Sequence, residues 1–135
     1  MCLYIKKDSV PLIAQKDIIC YKVVRPTQTR RHKFLFWKYD MFKCKSVVRS
    51  YEYTCNVLNK PIHIKPKPFN FEYNSINEGY HVCLTRDKAL CYLVYTNETV
   101  VECIIPKGTK YYVNPENTLA VASNIIITSK CVKSA

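Results

Sequence analysis

The apolar residues of this chain fall in short runs broken by Pro, Asn, Ser and Lys, a pattern that predicts strands far more often than helices. Residues 2–5 and 10–14 are short apolar segments on either side of a Lys6-Lys7-Asp8-Ser9 turn, the first of them an expected edge strand. Ile18 to Val24 is rich in β-branched residues and nearly continuously apolar, which predicts a central strand buried on both faces and ended by Arg25-Pro26. Pro26 to Lys33 is polar and reads as an exposed basic loop leading into Phe34-Leu35-Phe36-Trp37-Lys38-Tyr39. Residues 43–55 alternate as one or two strands, with Lys43, Lys45 and Arg49 on the solvated face. Pro61, Pro66 and Pro68 exclude a central strand or a helix from residues 59–74, leaving an extended connection with a short edge strand at Ile62-His63-Ile64.

The C-terminal half carries sharper punctuation. Gly79 allows a positive φ or a close backbone approach before a strand beginning Tyr80-His81-Val82-Cys83. Thr85 suits a helix N-cap, Asp87 suits the first turn, and Ala89, Leu90, Leu93 and Val94 form a stripe at helical spacing, so one helix is expected near residues 86–96. Val100 to Ile105 is a further strand, and Pro106-Lys107-Gly108-Thr109 a turn with Pro at i+1 and Gly at i+3. Strand resumes at Lys110 to Val113, Pro115-Glu116-Asn117 forms a loop, and Ala120 to Thr128 is a last strand-forming stretch. These elements describe one α+β domain of 135 residues, mainly a mixed or antiparallel sheet with one clear helix.

Composition adds a charge asymmetry. Residues 22–67 hold twelve Lys/Arg against Asp40 and Glu52, and carry nearly all of the formal +11. A concentrated basic segment points to an anionic partner, and aromatics beside Arg30, Arg31, His32 and Lys33 have the composition that stacks bases and neutralises phosphates, although a buried strand after a loop has it too. No apolar run approaches a membrane span and the N-terminus lacks a secretory h-region, so a cytoplasmic protein is expected. The eight cysteines show no C-x-x-C and no tight Cys/His pair; buried structural thiols are favoured over zinc ligands or disulfides, with Cys2 the expected exposed thiol. His63, between two isoleucines, reads as a packed or edge histidine. No phosphate-cradling glycine loop, G-x-S-x-G or convincing carboxylate pair is present, and nothing in the pattern calls for a cofactor or a metal.

Two resemblances follow from these residues. Met1 to Ile5, Ile18 to Val24, Gly79-Tyr80-His81 and the Cys103-Ile104-Ile105-Pro106-Lys107-Gly108-Thr109-Lys110-Tyr111-Tyr112 turn resemble a group of small uncharacterised proteins of gut Bacteroidetes and their phages. The element order is also similar to the ADP-ribosyltransferase fold, with Tyr21 to Arg25 at the position of its first motif, Gly79 to Val82 with Ala89 and Tyr92 at the second, and Leu119 to Ser123 at the third. That third motif here lacks its glutamate, and a carboxylate is what would stabilise an oxocarbenium-like centre. The resemblances imply a non-enzymatic binder of an anionic, nucleotide-like ligand, as a phage or mobile-element accessory protein that captures a host signal, with Arg25, Arg30, Arg31, Tyr80, His81 and Arg86 as candidate contacts. His81 carries a structural reading beside this one, as a sheet histidine bonded to backbone. The alternatives are a nucleic-acid binder using the basic 22–67 segment, and an active ADP-ribosyltransferase-like enzyme with Glu102 or Glu116 as its carboxylate.

Overall fold

The computed structural model describes residues 3–32, 35–46 and 52–131; Cys2, Lys33, Phe34 and Arg49, and the readings attached to them, lie outside this range. Among the described residues it holds twelve strands and one helix, in the order β1 Leu3–Lys6, β2 Leu12–Ile13, β3 Ile18–His32, β4 Leu35–Ser46, β5 Glu52–Thr54, β6 Lys67–Pro68, β7 Tyr73–Ile76, β8 Tyr80–Cys83, α1 Arg86–Leu90, β9 Thr99–Ile105, β10 Lys110–Val113, β11 Leu119–Ala122 and β12 Ile126–Cys131. Every strand ladder is antiparallel, and the one parallel contact is an isolated Cys55–Ile127 bridge. The fold is therefore mostly antiparallel sheet with a single short helix, more β-rich than the expected α+β balance.

Strand β3 organises the larger sheet, whose order is β12-β9-β3-β8-β11-β10-β2. Over Ile18–Val24 it pairs with β9 on one side, and at Tyr21 it meets Cys83 of β8 on the other. From Val24 onward it pairs with β4, which in turn pairs with β5. Bridges from Cys55 and Leu58 to Ile127 and Ile126 return the chain to β12, so pairing through β3, β4, β5, β12 and β9 runs in a circuit. The residues facing inward from this circuit, among them Cys20, Val24, Cys44, Tyr53, Val101, Cys103 and Ile127, form the main core. Cys20 and Cys103 are direct register partners, and both are fully buried.

The opposite face is covered in two places. A small sheet, β1-β7-β6, lays Leu3, Ile5 and Ile76 with Ile64 onto Tyr112 and Val121, each such aliphatic contributing about 2 kcal/mol by burial. Ala89, Leu90, Tyr92 and Leu93 cover Tyr21, Val23, Cys83 and Val100.

Several expectations are corrected here. The helix spans Arg86–Leu90 rather than 86–96. Thr85 caps it as expected, its hydroxyl accepting from the Lys88 N–H at 3.2 Å. It stops because the Glu98 carboxylate accepts from the Val94 and Tyr95 N–H groups at 2.9 and 2.7 Å, supplying partners that a helix would have found four residues back. Val94, assigned to the apolar stripe, is 72% exposed. The segment from Pro26 to His32 is strand, not loop, because β4 pairs with it; Pro26, which has no N–H to give, sits where the register slips before Gln28. Ile19, expected to be buried in a two-faced central strand, is 46% exposed. Ile62-His63-Ile64 has no strand pairing, though Ile64 is buried and His63 is exposed rather than packed. The stretch from Ala120 to Thr128 is divided between β11 and β12 by Ser123–Ile125. The Thr109 N–H donates to the Pro106 carbonyl at 3.1 Å, so the turn starts one residue later than expected and Gly108 occupies i+2 at φ +88°, where a type II turn requires a positive φ.

Gly79 has both a positive φ, +130°, and no room: a Cβ there would stand 2.6 Å from Ile64 Cγ2 and 3.0 Å from Val121 Cγ1, inside the contact between the two sheets. At Gly108 a Cβ would meet nothing within 4 Å. Gly79→Ala should therefore cost about 3 kcal/mol in urea unfolding, while Gly108→Ala costs only the backbone term of about 1–2 kcal/mol. Equal losses for the two variants would refute the close-approach role of Gly79.

Candidate functional site

The centre of the main core is polar. Lys22 lies between Cys20 and Val24 on the core-facing side of β3, and its Nζ donates to the His81 carbonyl at 2.7 Å and stands 5.7 Å from the centre of the Tyr53 ring. Burial pushes its pKa down, partly opposed by the surrounding thiols of Cys103, Cys83, Cys20 and Cys44. Burial likewise holds Cys103 well above its ordinary value and raises Cys83 to about 11, so these thiols stay protonated and unreactive. Cys55 shifts the other way because the Cys44 thiol hydrogen-bonds to it. Five of the described thiols are buried in this manner; Cys91 is free and exposed, its sulfur 3.3 Å from the Asp87 carbonyl.

Tyr80 and His81 belong to this structural network. The Tyr80 hydroxyl donates to the Lys60 carbonyl, and its ring packs 5.8 Å from Tyr53. His81 Nε2 lies 3.2 Å from the Ile76 carbonyl; a carbonyl only accepts, so that nitrogen carries the proton. Burial drives the imidazole down to about 4, with the Ile76 hydrogen bond opposing and Lys22 adding to the shift. A neutral histidine committed to backbone offers no charge to a phosphate.

Arg25 sits where β3 parts from β9, one residue past the last register pair, Val24 with Thr99. Glu98, just ahead of β9, is 2% exposed; its Oε1 holds the Val94 and Tyr95 amides, and its Oε2 has no hydrogen-bond partner among the described residues. The Arg25 Nε is buried and equally unpartnered among them, so neither atom bonds the other.

Arg30 and Arg31 lie on the outer part of β3, opposite Asp40 and Tyr39 of β4. Arg86 is exposed in the first residue of α1. The structure thus groups Tyr80 and His81 with Lys22, sets Arg30 and Arg31 on the β3–β4 ribbon, and leaves Arg86 apart from both.

Of the two candidate carboxylates, Glu102 lies within β9 opposite Tyr21. Glu116 borders a cleft of about 530 Å³, with Tyr4, Phe69 and Tyr73 on one side, the Asn114–Glu116 turn on the other, and Leu3 and Leu119 beneath. None of Arg25, Tyr80, His81 or Arg86 lines that cleft, so the expected contacts and the expected carboxylate are not assembled in one place. The three rings escaped notice in the sequence because Tyr4, Phe69 and Tyr73 come from segments that only the β1–β7–β6 pairing brings together. Among the described residues no group of three or more His, Cys, Asp or Glu is arranged to hold a metal ion, and no helix is long and apolar enough to cross a membrane. Compared with known proteins, the chain matches no protein-family model, no curated protein and no solved structure.

Two measurements check this reading. Between pH 6.5 and about 4 the unfolded chain takes up a proton at His81 that the folded chain refuses, so stability rises with pH across that window. The drop on acidification should reach about 3 kcal/mol, and His81→Gln should flatten that limb in urea unfolding; an unchanged slope would count against the buried neutral imidazole. In a double-mutant cycle, Arg25→Met and Glu98→Gln should be additive within about 0.5 kcal/mol, since the Arg25 Nε and the Glu98 Oε2 do not bond each other, whereas coupling of about 1 kcal/mol or more would show a direct pairing.

Proposed function

We propose that this protein binds nucleic acid through the ribbon formed by the outer parts of β3 and β4. The observation that carries the reading is where the positive charge sits in the fold. Past Val24, β3 pairs only with β4 among the described residues, and β4 finds its second partner, β5, only at Lys43–Lys45. The intervening part is a two-stranded antiparallel ribbon. Along it lie Arg30, Arg31 and Lys38, with Asp40 the single acid, and Arg25, Lys43 and Lys45 stand at its base, where β5 joins.

Two strands about 5 Å apart make a ribbon narrow enough for a major groove about 12 Å wide, and residues 26–32 give it a length of about 20 Å. Lysines and arginines at that spacing neutralise phosphates and release the counterions condensed on them, which is the dominant sequence-independent contribution to affinity. The interleaved Phe36, Trp37 and Tyr39 supply ring faces in the same segment. The nucleotide-capture reading has less support, since Tyr80 and His81 are engaged with the Lys60 and Ile76 carbonyls and the Arg25 Nε is buried. Transferase chemistry has less again, with Glu116 lining a cleft apart from Tyr80 and His81.

Register separates the two central arginines. Arg30 is in register with Asp40 and Arg31 with Tyr39, so an acid occupies the position opposite Arg30 alone. Binding to a short duplex should therefore weaken with salt at a slope of about −4 in log K against log salt, near the limit for five contacts. Arg31→Ala should lower that slope by about one, and Arg30→Ala by less, in fluorescence anisotropy at several salt concentrations. Salt-insensitive binding, or a slope that neither substitution alters, would overturn the proposal.

A further inference from the structure

The geometry points to a second element of recognition: the cleft between the small sheet and the Asn114–Glu116 turn is a site for an unpaired guanine base. This rests on the nucleic-acid reading for the class of ligand, and on the cleft itself for the base.

The outer face of the small sheet is built in two rows. Lys67, Ser75 and Tyr4 stand in register across its three strands, and Tyr73 is paired with Lys6 two residues along. Leu3 and Ile5 alternate with these residues and are buried beneath, which forces Tyr4 and Lys6 outward. Phe69, just past β6, leans on Tyr4 with ring centres 4.7 Å apart and planes tilted by 52°. Tyr4 is 43% and Phe69 58% exposed, although they line a cleft of a size usual for small-molecule sites, about 300–1,000 Å³.

Both walls are held in place from within. The Asn70 side-chain oxygen accepts from the Glu72 and Tyr73 N–H groups, each at 2.8 Å, and so fixes the turn that carries Phe69. The Asn114 side-chain oxygen accepts from the Thr118 and Leu119 N–H groups at 2.8 and 3.0 Å, and its amide donates to the Thr118 hydroxyl at 3.0 Å. That network fixes the turn carrying Glu116. The side-chain oxygens of both asparagines are taken up by backbone amides, and Glu116, exposed at the rim, is the charged lining side chain among the described residues. In a chain with 21 basic and 10 acidic residues, an acid on this wall sets a specific preference.

Flat rings accept any base by stacking. A carboxylate only accepts hydrogen bonds, so it favours the base edge with adjacent donors. Guanine presents N1–H and the N2 amino group side by side. Adenine and cytosine each set a ring-nitrogen acceptor next to their amino group, and uracil flanks its single N–H with two carbonyls. Lys6 and Lys67, exposed on the same face as Tyr4 and outside the lining, are placed for the phosphate of the stacked nucleotide.

Titration of the full chain with 5′-GMP, 5′-IMP and 5′-AMP, followed by NMR, tests this. GMP should bind about tenfold more tightly than AMP, and IMP, which lacks the N2 amino group, should fall between them. Glu116→Ala should abolish the difference while leaving AMP binding and the unfolding midpoint unchanged, and Phe69→Ala should weaken all three nucleotides. Equal binding of GMP and AMP, or a preference that survives Glu116→Ala, would overturn the guanine assignment. So would absence of nucleotide binding by a chain that still binds duplex through its ribbon. Loss of duplex binding with guanine preference intact would remove the ribbon reading and leave the cleft in place.

Discussion

Strand β3 has to satisfy two environments in succession, and the rest of the fold follows from how it does so. Over Ile18–Val24 it is paired along one edge by β9 and met on the other by β8, so its backbone groups are satisfied and both its faces are partly covered. Beyond Val24 both of those neighbours end and β4 takes over. That exchange of partners lets the chain close a circuit back through β5 and β12, and it projects the remainder of β3 as a ribbon. The cost of the arrangement is Lys22, a cation on the core side of the inner half. It is tolerated because the His81 carbonyl accepts from it, the Tyr53 ring faces it, and the polarisable sulfurs of Cys20, Cys44, Cys83 and Cys103 surround it.

The same arrangement explains the abundance of cysteine. The core holds two packed tyrosines beside the lysine, and a thiol is a small hydrophobe that tolerates a polar neighbour. Cys20 and Cys103 face each other across β3 and β9 with nothing exposed. Desolvation keeps the thiolate form out of reach at Cys103 and Cys83, so these residues act as packing groups rather than nucleophiles.

Local chemistry was legible in the sequence wherever one residue type has few alternatives. Gly79 required a special backbone, Thr85 a cap, and Ile18–Val24 a strand, and each is found so. The readings that failed are those in which a distant residue decides the outcome. The polar run from Pro26 to His32 has no apolar alternation to announce a strand, and it becomes one because β4 is present to accept its hydrogen bonds. The stripe after Leu90 has helical spacing, but Glu98 takes the amides that would have continued the helix. The candidate contacts Tyr80 and His81 had suitable chemistry, yet their partners, Lys60 on an extended connection and Ile76 at the end of β7, are set by a path the sequence leaves open. The aromatic cleft was illegible for the same reason, since its rings come from β1 and from the distant β6–β7 hairpin.

Charge and aromatic surface are thereby divided between different parts of one scaffold. The ribbon places cations where pairing is limited to two strands, the surface proposed to meet a long anionic partner. The cleft is fixed instead, each wall pinned by an asparagine and its floor resting on Leu3 and Leu119. In the proposed reading, a cationic ribbon favours affinity that depends on salt but little on sequence, whereas a walled cleft with one carboxylate favours discrimination between bases. The two demands would conflict on one surface, because residues that attract phosphate would also neutralise the carboxylate proposed to read the base. The fold keeps β3–β4 apart from β1–β7–β6, and Gly79, whose missing Cβ leaves room for Ile64 and Val121, is what allows the small sheet to sit close against the larger one.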